Sequence, residues 1–223
     1  MYIVLMIDTH AHLDFPQYDS DRDKVIRDGF NNGLEAIINI GVDLESSRKS
    51  IDLAEKYEGI YAAVGIHPHD TQNAPGDYLA RLEEMAAHKK VVAIGEIGLD
   101  YYRHHSPRQI QRRVYREQLE LASRLEMPVA VHTREAIDDS FRILEDSGIK
   151  KGVLHSFPGD ETEAIRAIEM GFSVSFAGPI TYPGSTRADV AASIPLSKIV
   201  VVDDERRTIR VLIGKGRCLC SPQ

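Results

Sequence analysis

The sequence predicts an α/β chain folded as a (β/α)8 barrel of the TIM type, incomplete after strand 8. Three observations carry this expectation. Eight short β-rich runs alternate with longer amphipathic segments over about 200 residues. The runs are nearly continuously apolar, as parallel strands covered on both faces must be. No glycine-rich phosphate loop follows the first run, which places a doubly wound open sheet second.

The expected strands are 3–8, 36–41, 61–66, 91–96, 128–132, 152–155, 172–176 and 199–202. Ser106-Pro107 reads as a cap followed by a first-turn proline, after which Ile110, Val114, Leu121 and Leu125 share one helical face. Asp43 before 44–57 and Asp160 before 161–170 read as N-caps followed by acidic first turns. Pro68, Pro75, Pro158 and Pro183 fall in connecting loops, and no repeat or low-complexity linker interrupts the pattern. Residues 1–204 therefore read as one barrel domain.

Residues 205–223 read as an atypical tail and no separate domain. They hold five basic residues against one acid, a charge of +4 against −11 for residues 1–204. Val211, Leu212 and Ile213 show no helical period, so an eighth covering helix is not expected there.

Composition excludes several classes. No apolar run reaches the roughly 18 residues that a membrane-spanning helix requires. Residues 1–7 are apolar but lack a basic start and a small-residue cleavage site, so they are not read as a signal peptide. A net charge of −7 argues against wrapping duplex DNA with a general basic surface, so any nucleic acid would have to be met locally, through bound cations. The cysteines, Cys218 and Cys220, provide no disulfide framework for the body of the chain, and a cytoplasmic setting is expected. Nothing points to an obligate protein partner.

The histidines point to chemistry. Of nine, six (His10, His12, His67, His69, His132 and His155) fall at or just after an expected strand end. In a barrel these ends share the face on which active sites are built. His10 and His12 are two apart in an extended segment, so both imidazoles project to one side and can reach one ion. Glu96 closes the apolar run Val91-Val92-Ala93-Ile94-Gly95, where a carboxylate is costly unless it meets a cation; the competing reading is a salt bridge to a nearby arginine. Asp100, four residues on, is placed to orient a ligand. His132 and His155 end two further strands, and Asp203-Asp204 follows the last, where it offers a sixth ligand. Two cation sites sharing a bridging carboxylate need about this many donors.

Other residues keep two readings. His69, Asp70 and Thr71 either serve the site or simply build the loop after strand three. Tyr101-Tyr102 either stack on bases or cover the barrel mouth. Arg103, His104, His105, Arg108, Arg112 and Arg113 form a basic stretch that either meets a nucleic-acid backbone or is a solvated helix face.

These motifs resemble the TatD-type metal-dependent deoxyribonucleases of the amidohydrolase-like barrels. The resemblance runs through Asp8-Thr9-His10-Ala11-His12-Leu13-Asp14, Gly65-Ile66-His67-Pro68-His69, Gly95-Glu96-Ile97-Gly98-Leu99-Asp100, Val131-His132-Thr133-Arg134 and His155-Ser156-Phe157-Pro158-Gly159-Asp160, and covers roughly 3–202. It implies a barrel, two divalent ions (Mg2+, Mn2+ or Zn2+) and hydrolysis of DNA phosphodiesters at strand ends or in single strands. By that resemblance His10, His12 and Glu96 hold one ion, and Glu96, His132 and His155 the other. His67 and Arg134 face the substrate phosphate, and Asp204 is the last ligand and general base.

The end of the chain departs from the family. Members close the last strand with Glu-Thr-Asp, a small residue, proline and an aromatic, where this chain has Val202-Asp203-Asp204-Glu205-Arg206. One codon choice for 205–209, read in another frame, gives Ala-Pro-Tyr-Asp, so a frameshift near the end of strand eight is the expectation. Two alternatives stand beside the nuclease: a related barrel hydrolase of an amide or ester, and a catalytically defective truncated remnant.

Overall fold

The computed structural model describes residues 6–201. Its strands and α-helices are β1 (Met6–Ala11), α1 (Arg22–Asn31), β2 (Leu34–Ile40), α2 (Leu44–Lys56), β3 (Ile60–Val64), α3 (Tyr78–Ala86), β4 (Val91–Asp100), α4 (Arg108–Arg124), β5 (Val129–Arg134), α5 (Ile137–Ser147), β6 (Gly152–His155), α6 (Glu161–Glu169), β7 (Ser173–Phe176), α7 (Arg187–Ser193) and β8 (Ile199–Val201). The strands pair in parallel and in chain order, β1 to β8. β8 lies against β1, but no hydrogen-bonded ladder joins them among the described residues. The expected TIM-type barrel is thus the architecture, nearly closed, with one seam. Beside that seam Ile7 of β1 is 50% exposed. Asp203, Asp204 and the basic tail lie outside the described residues. Among the described residues, no helix is long and apolar enough to cross a membrane.

Local chemistry explains the starts and stops. The Asp43 carboxylate accepts from the Ser46 amide at 2.7 Å and starts α2. Asp160 and Glu163 form a capping box at the start of α6. α5 ends on Gly148, whose φ of +69° a side chain rarely adopts.

Ser106 does not cap α4. The helix begins after Pro107, while the Ser106 hydroxyl donates to the His69 carbonyl at 2.8 Å and accepts from the Gln72 amide at 3.1 Å. The hydroxyl joins two loops rather than satisfying a helix end. The buried face of α4 also differs from the expected one. Val114 and Leu121 are buried with Gln111, Tyr115, Gln118, Leu119 and Ala122, whereas Ile110 and Leu125 are only partly buried. The apolar spacing missed this rotation because two glutamines point inward.

Three strands run past their expected ends, among them β5, which reaches Arg134. β1 ends at Ala11, carrying His10 into the sheet, and β4 reaches Asp100. β4 extends because its ladder to β5 continues through Gly98↔His132, Leu99↔Thr133 and Asp100↔Arg134. Gly98 makes this possible: a Cβ there would lie 2.0 Å from the His132 carbonyl oxygen.

Candidate metal centre

The ends of β1, β3, β4, β5 and β6 bring the chemistry-bearing side chains together. His10 Nε2 and His12 Nε2 are 3.2 Å apart, so their i, i+2 spacing does aim both rings at one point. Glu96 Oε2 lies 3.3 Å from His10 Nε2 and 3.7 Å from His12 Nε2. The other oxygen, Oε1, faces His132 Nδ1 at 3.0 Å and His67 Nε2 at 4.0 Å. Two donor groups result, His10–His12–Glu96 and His67–Glu96–His132, each with its ligand atoms within 4.8 Å of one another. Glu96 belongs to both.

His155 lies within the same cluster, against His10. Its ring stacks on His10, with centroids 3.5 Å apart and planes 13° from parallel, although β5 and β6 put it in register with His132. Arg134 is exposed, and its guanidinium lies over the Tyr102 ring, 4.0 Å from the centroid.

The donors suit a divalent cation. Glu96 is 3% exposed, and among the described residues its ion-pair partners are histidines. The competing expectation, a salt bridge from Glu96 to arginine, is not what the barrel provides. Burial, reinforced by neighbouring His155, lowers the His10 pKa to about 4, so its lone pair is available at neutral pH. Burial likewise holds His67 well below its ordinary value. Burial opposes the charge on Glu96, but His10 and His67 outweigh it and keep the carboxyl well below the usual range. Neutral His10 and His67 bring no full charge to this buried carboxylate, and a bound cation would supply one.

Asp100 organises the second half of this cluster. Its Oδ2 accepts from His69 Nε2 at 2.8 Å and His132 Nε2 at 3.2 Å, and its Oδ1 from the Tyr102 and Arg103 amides at 2.9 and 2.8 Å. His132 is therefore held between two carboxylates. Burial alone lowers its pKa, yet the bonds to Asp100 and Glu96 raise it to about 9. Burial also opposes ionisation of Asp100, but the bonds from His132, Arg103 and His69 hold it well below the ordinary value. The orienting role expected for Asp100 matches this placement, and His69 is tied to the site through the same oxygen.

Sequence reasoning missed the scaffold beneath these groups. Gln111 clamps the Asp100 backbone, accepting from its amide at 2.8 Å and donating to its carbonyl at 2.9 Å. Gln118 does the same for Ile66, at 2.7 and 3.1 Å, just before His67. Two turns of α4 thus fix the end of β4 and the segment that follows β3; the available signal was a pair of glutamines seven apart in an amphipathic helix. Asp14 accepts from Asn39 Nδ2 at 2.8 Å and Ser46 Oγ at 2.7 Å, while Asn39 Oδ1 receives the Leu13 amide at 2.5 Å. This buried network anchors the loop leaving His12, whose Nδ1 meets the Ile40 carbonyl at 3.0 Å.

The two tyrosines divide. Tyr101 is buried, its hydroxyl bonded to Asp139 at 2.6 Å, and its pKa is raised to about 12 by burial and that carboxylate. Tyr102 is 49% exposed on the barrel rim.

Residues 7–204 match the family described as TatD related DNase. The chain belongs to that family. As a TatD-related protein it is a metal-dependent hydrolase acting on ester bonds. It is 37% identical over 203 residues to the uncharacterized metal-dependent hydrolase YabD of Bacillus subtilis, covering 90% of this chain and 80% of that protein. It is 36% identical over 176 residues to the 3'-5' ssDNA/RNA exonuclease TatD of Cronobacter sakazakii, covering 78% and 66%. The crystal structure of YjjV, a TatD homologue from Escherichia coli, superposes with a TM-score of 0.85 at 33% identity, covering 91% of this chain and 80% of that one.

Proposed function

We propose that this TatD-related chain removes nucleotides from the ends of single-stranded nucleic acid by hydrolysis, with two divalent cations sharing Glu96. One observation carries the reading: Glu96 turns one oxygen toward His10 and His12 and the other toward His132 and His67. The activity for which the Cronobacter relative is named supports the choice of substrate.

Bound divalent cations supply positive charge opposite the phosphate and lower the pKa of water. The chain's own residues do the rest. His10 and His12 hold one cation with Glu96, and His132 holds the other with Glu96. The remaining donor of that second set is His155 by family resemblance and His67 by distance. Measured stoichiometry separates them, since only loss of a true ligand removes one equivalent of metal. His67, when it is not a ligand, steadies the scissile phosphodiester, and Arg134 holds the substrate strand, through charge-assisted hydrogen bonds. Asp204, the last residue of the family match, accepts the proton of the attacking water. Water adds to phosphorus, the bond to the preceding sugar oxygen breaks, and that oxygen leaves with a proton. Asp100 keeps His132 and His69 in place throughout.

The experiment is incubation of an end-labelled single-stranded oligonucleotide with purified protein and divalent metal, with and without EDTA. Release of mononucleotides only in the presence of metal is expected. An intact oligonucleotide after incubation with folded, metal-loaded protein overturns the reading.

A further inference from the structure

We propose that Tyr102, Arg103 and Arg134 form a nucleotide subsite on the barrel rim, one step along the substrate strand from the metal centre. Tyr102 stacks on a base there, and the two guanidiniums receive the neighbouring phosphate. The inference rests on the hydrolytic reading above and deepens it.

Tyr102 is half exposed, and its ring is flanked by the guanidiniums of Arg134 and Arg103, 4.0 and 5.5 Å from its centroid. Neither arginine has a carboxylate partner among the described residues. Nearby Arg112 and Arg113, by contrast, pair with Asp139 and Glu117. In a chain of net charge −7, two uncommitted guanidiniums on one exposed aromatic ring make a local anion-attracting surface. A tyrosine that merely covered the barrel mouth would be buried and bonded, as Tyr101 is.

The position is set by the metal centre itself. Asp100 grips the Tyr102 and Arg103 amides with one oxygen and His132 and His69 with the other. Arg134 follows His132 by two residues on β5, so it leaves the sheet on the same face, about 7 Å further out. That offset is comparable with the span of one nucleotide. The Tyr101 amide donates to the Arg134 carbonyl at 2.9 Å, joining the β4 end to β5 directly below the rim. An aromatic face with arginine beside it is what sequence-tolerant single-strand binders present to successive bases and phosphates.

The test uses the full-length protein with a fluorescein-labelled oligothymidylate of about ten nucleotides. Its affinity is read by anisotropy in EDTA, without turnover. Tyr102→Ala is expected to weaken binding by about ten-fold, Tyr102→Phe by less than about two-fold, because stacking needs the ring and not the hydroxyl. Arg103→Gln is expected to weaken binding and to flatten its salt dependence. In metal-loaded protein, Tyr102→Ala should lower the ratio of kcat/KM for the oligonucleotide to that for bis(p-nitrophenyl) phosphate, a substrate without base or second phosphate, by about five-fold or more.

Equal affinity of wild type and Tyr102→Ala, or an unchanged ratio in a wild type that hydrolyses both substrates, overturns the subsite and leaves the hydrolytic reading standing. Hydrolysis of neither substrate by metal-loaded wild type overturns both.

Discussion

Replacing Asp100 by Asn tests how the cluster is held in the absence of metal. The carboxylate accepts two backbone amides on one side and two imidazoles on the other. If Asn keeps its oxygen on the amides of Tyr102 and Arg103, its NH2 faces His132 Nε2 and His69 Nε2. Protonated His132 then loses one of its two acceptors and retains only Glu96. In the wild type the His132 pKa rises from 6.5 to about 9, and the ring is mostly buried. The group binds its proton more tightly folded than unfolded. Its stabilisation is therefore fully present below 6.5 and is lost as pH rises through about 9. At about 1.4 kcal/mol per pKa unit, the loss is about 3 kcal/mol at most. Removing one of two carboxylate partners should remove about half of it, roughly 1–2 kcal/mol.

The assay is urea unfolding in EDTA at about pH 6.5 and about pH 9.5 for wild type and variant, comparing the two pH-dependent changes so that groups common to both cancel. The wild type should lose more stability than Asp100→Asn over this interval. Changes equal within about 0.3 kcal/mol would refute the claim that Asp100 holds the His132 proton. The same variant should bind divalent metal about 10- to 100-fold more weakly, since the orienting partner of a ligand is gone.

Two further outcomes are expected. Glu96→Gln keeps side-chain volume but places a donor amide amid the imidazoles; calorimetric titration with Mn2+ should show loss of both cation sites, and two tightly bound equivalents would contradict the shared carboxylate. Tyr115→Phe should stabilise the fold, because the Tyr115 hydroxyl is buried without a hydrogen-bond partner among the described residues. Relief of that desolvation is worth about 1 kcal/mol, or roughly 2–4 °C in Tm, and a lower Tm would show that the hydroxyl is satisfied in solution.

Much of this protein was legible in one dimension. Strand runs such as 91–96 and caps such as Asp43 and Asp160 depend on neighbours a few residues away, so composition and period reveal them. His10 and His12 were readable as a pair because strand geometry alone puts both on one side. The motif resemblance reached the family to which the chain belongs. The face of α4 was misjudged because Gln111 and Gln118 are buried by what they bond, which no hydropathy pattern records. The same holds for Ser106, whose loop partners His69 and Gln72 lie more than thirty positions upstream.

The chain's own order of residues determined that eight strands would alternate with helices and that histidines would stand at their ends, because backbone periodicity is a short-range property. Only the parallel pairing and curvature of the sheet decided that Glu96 divides its oxygens between two histidine pairs, that His132 sits between two carboxylates, and that Arg134 rests on Tyr102. Those contacts join β1, β3, β4 and β5 across strand register and barrel curvature, quantities that exist once the strands have paired and that no single segment encodes.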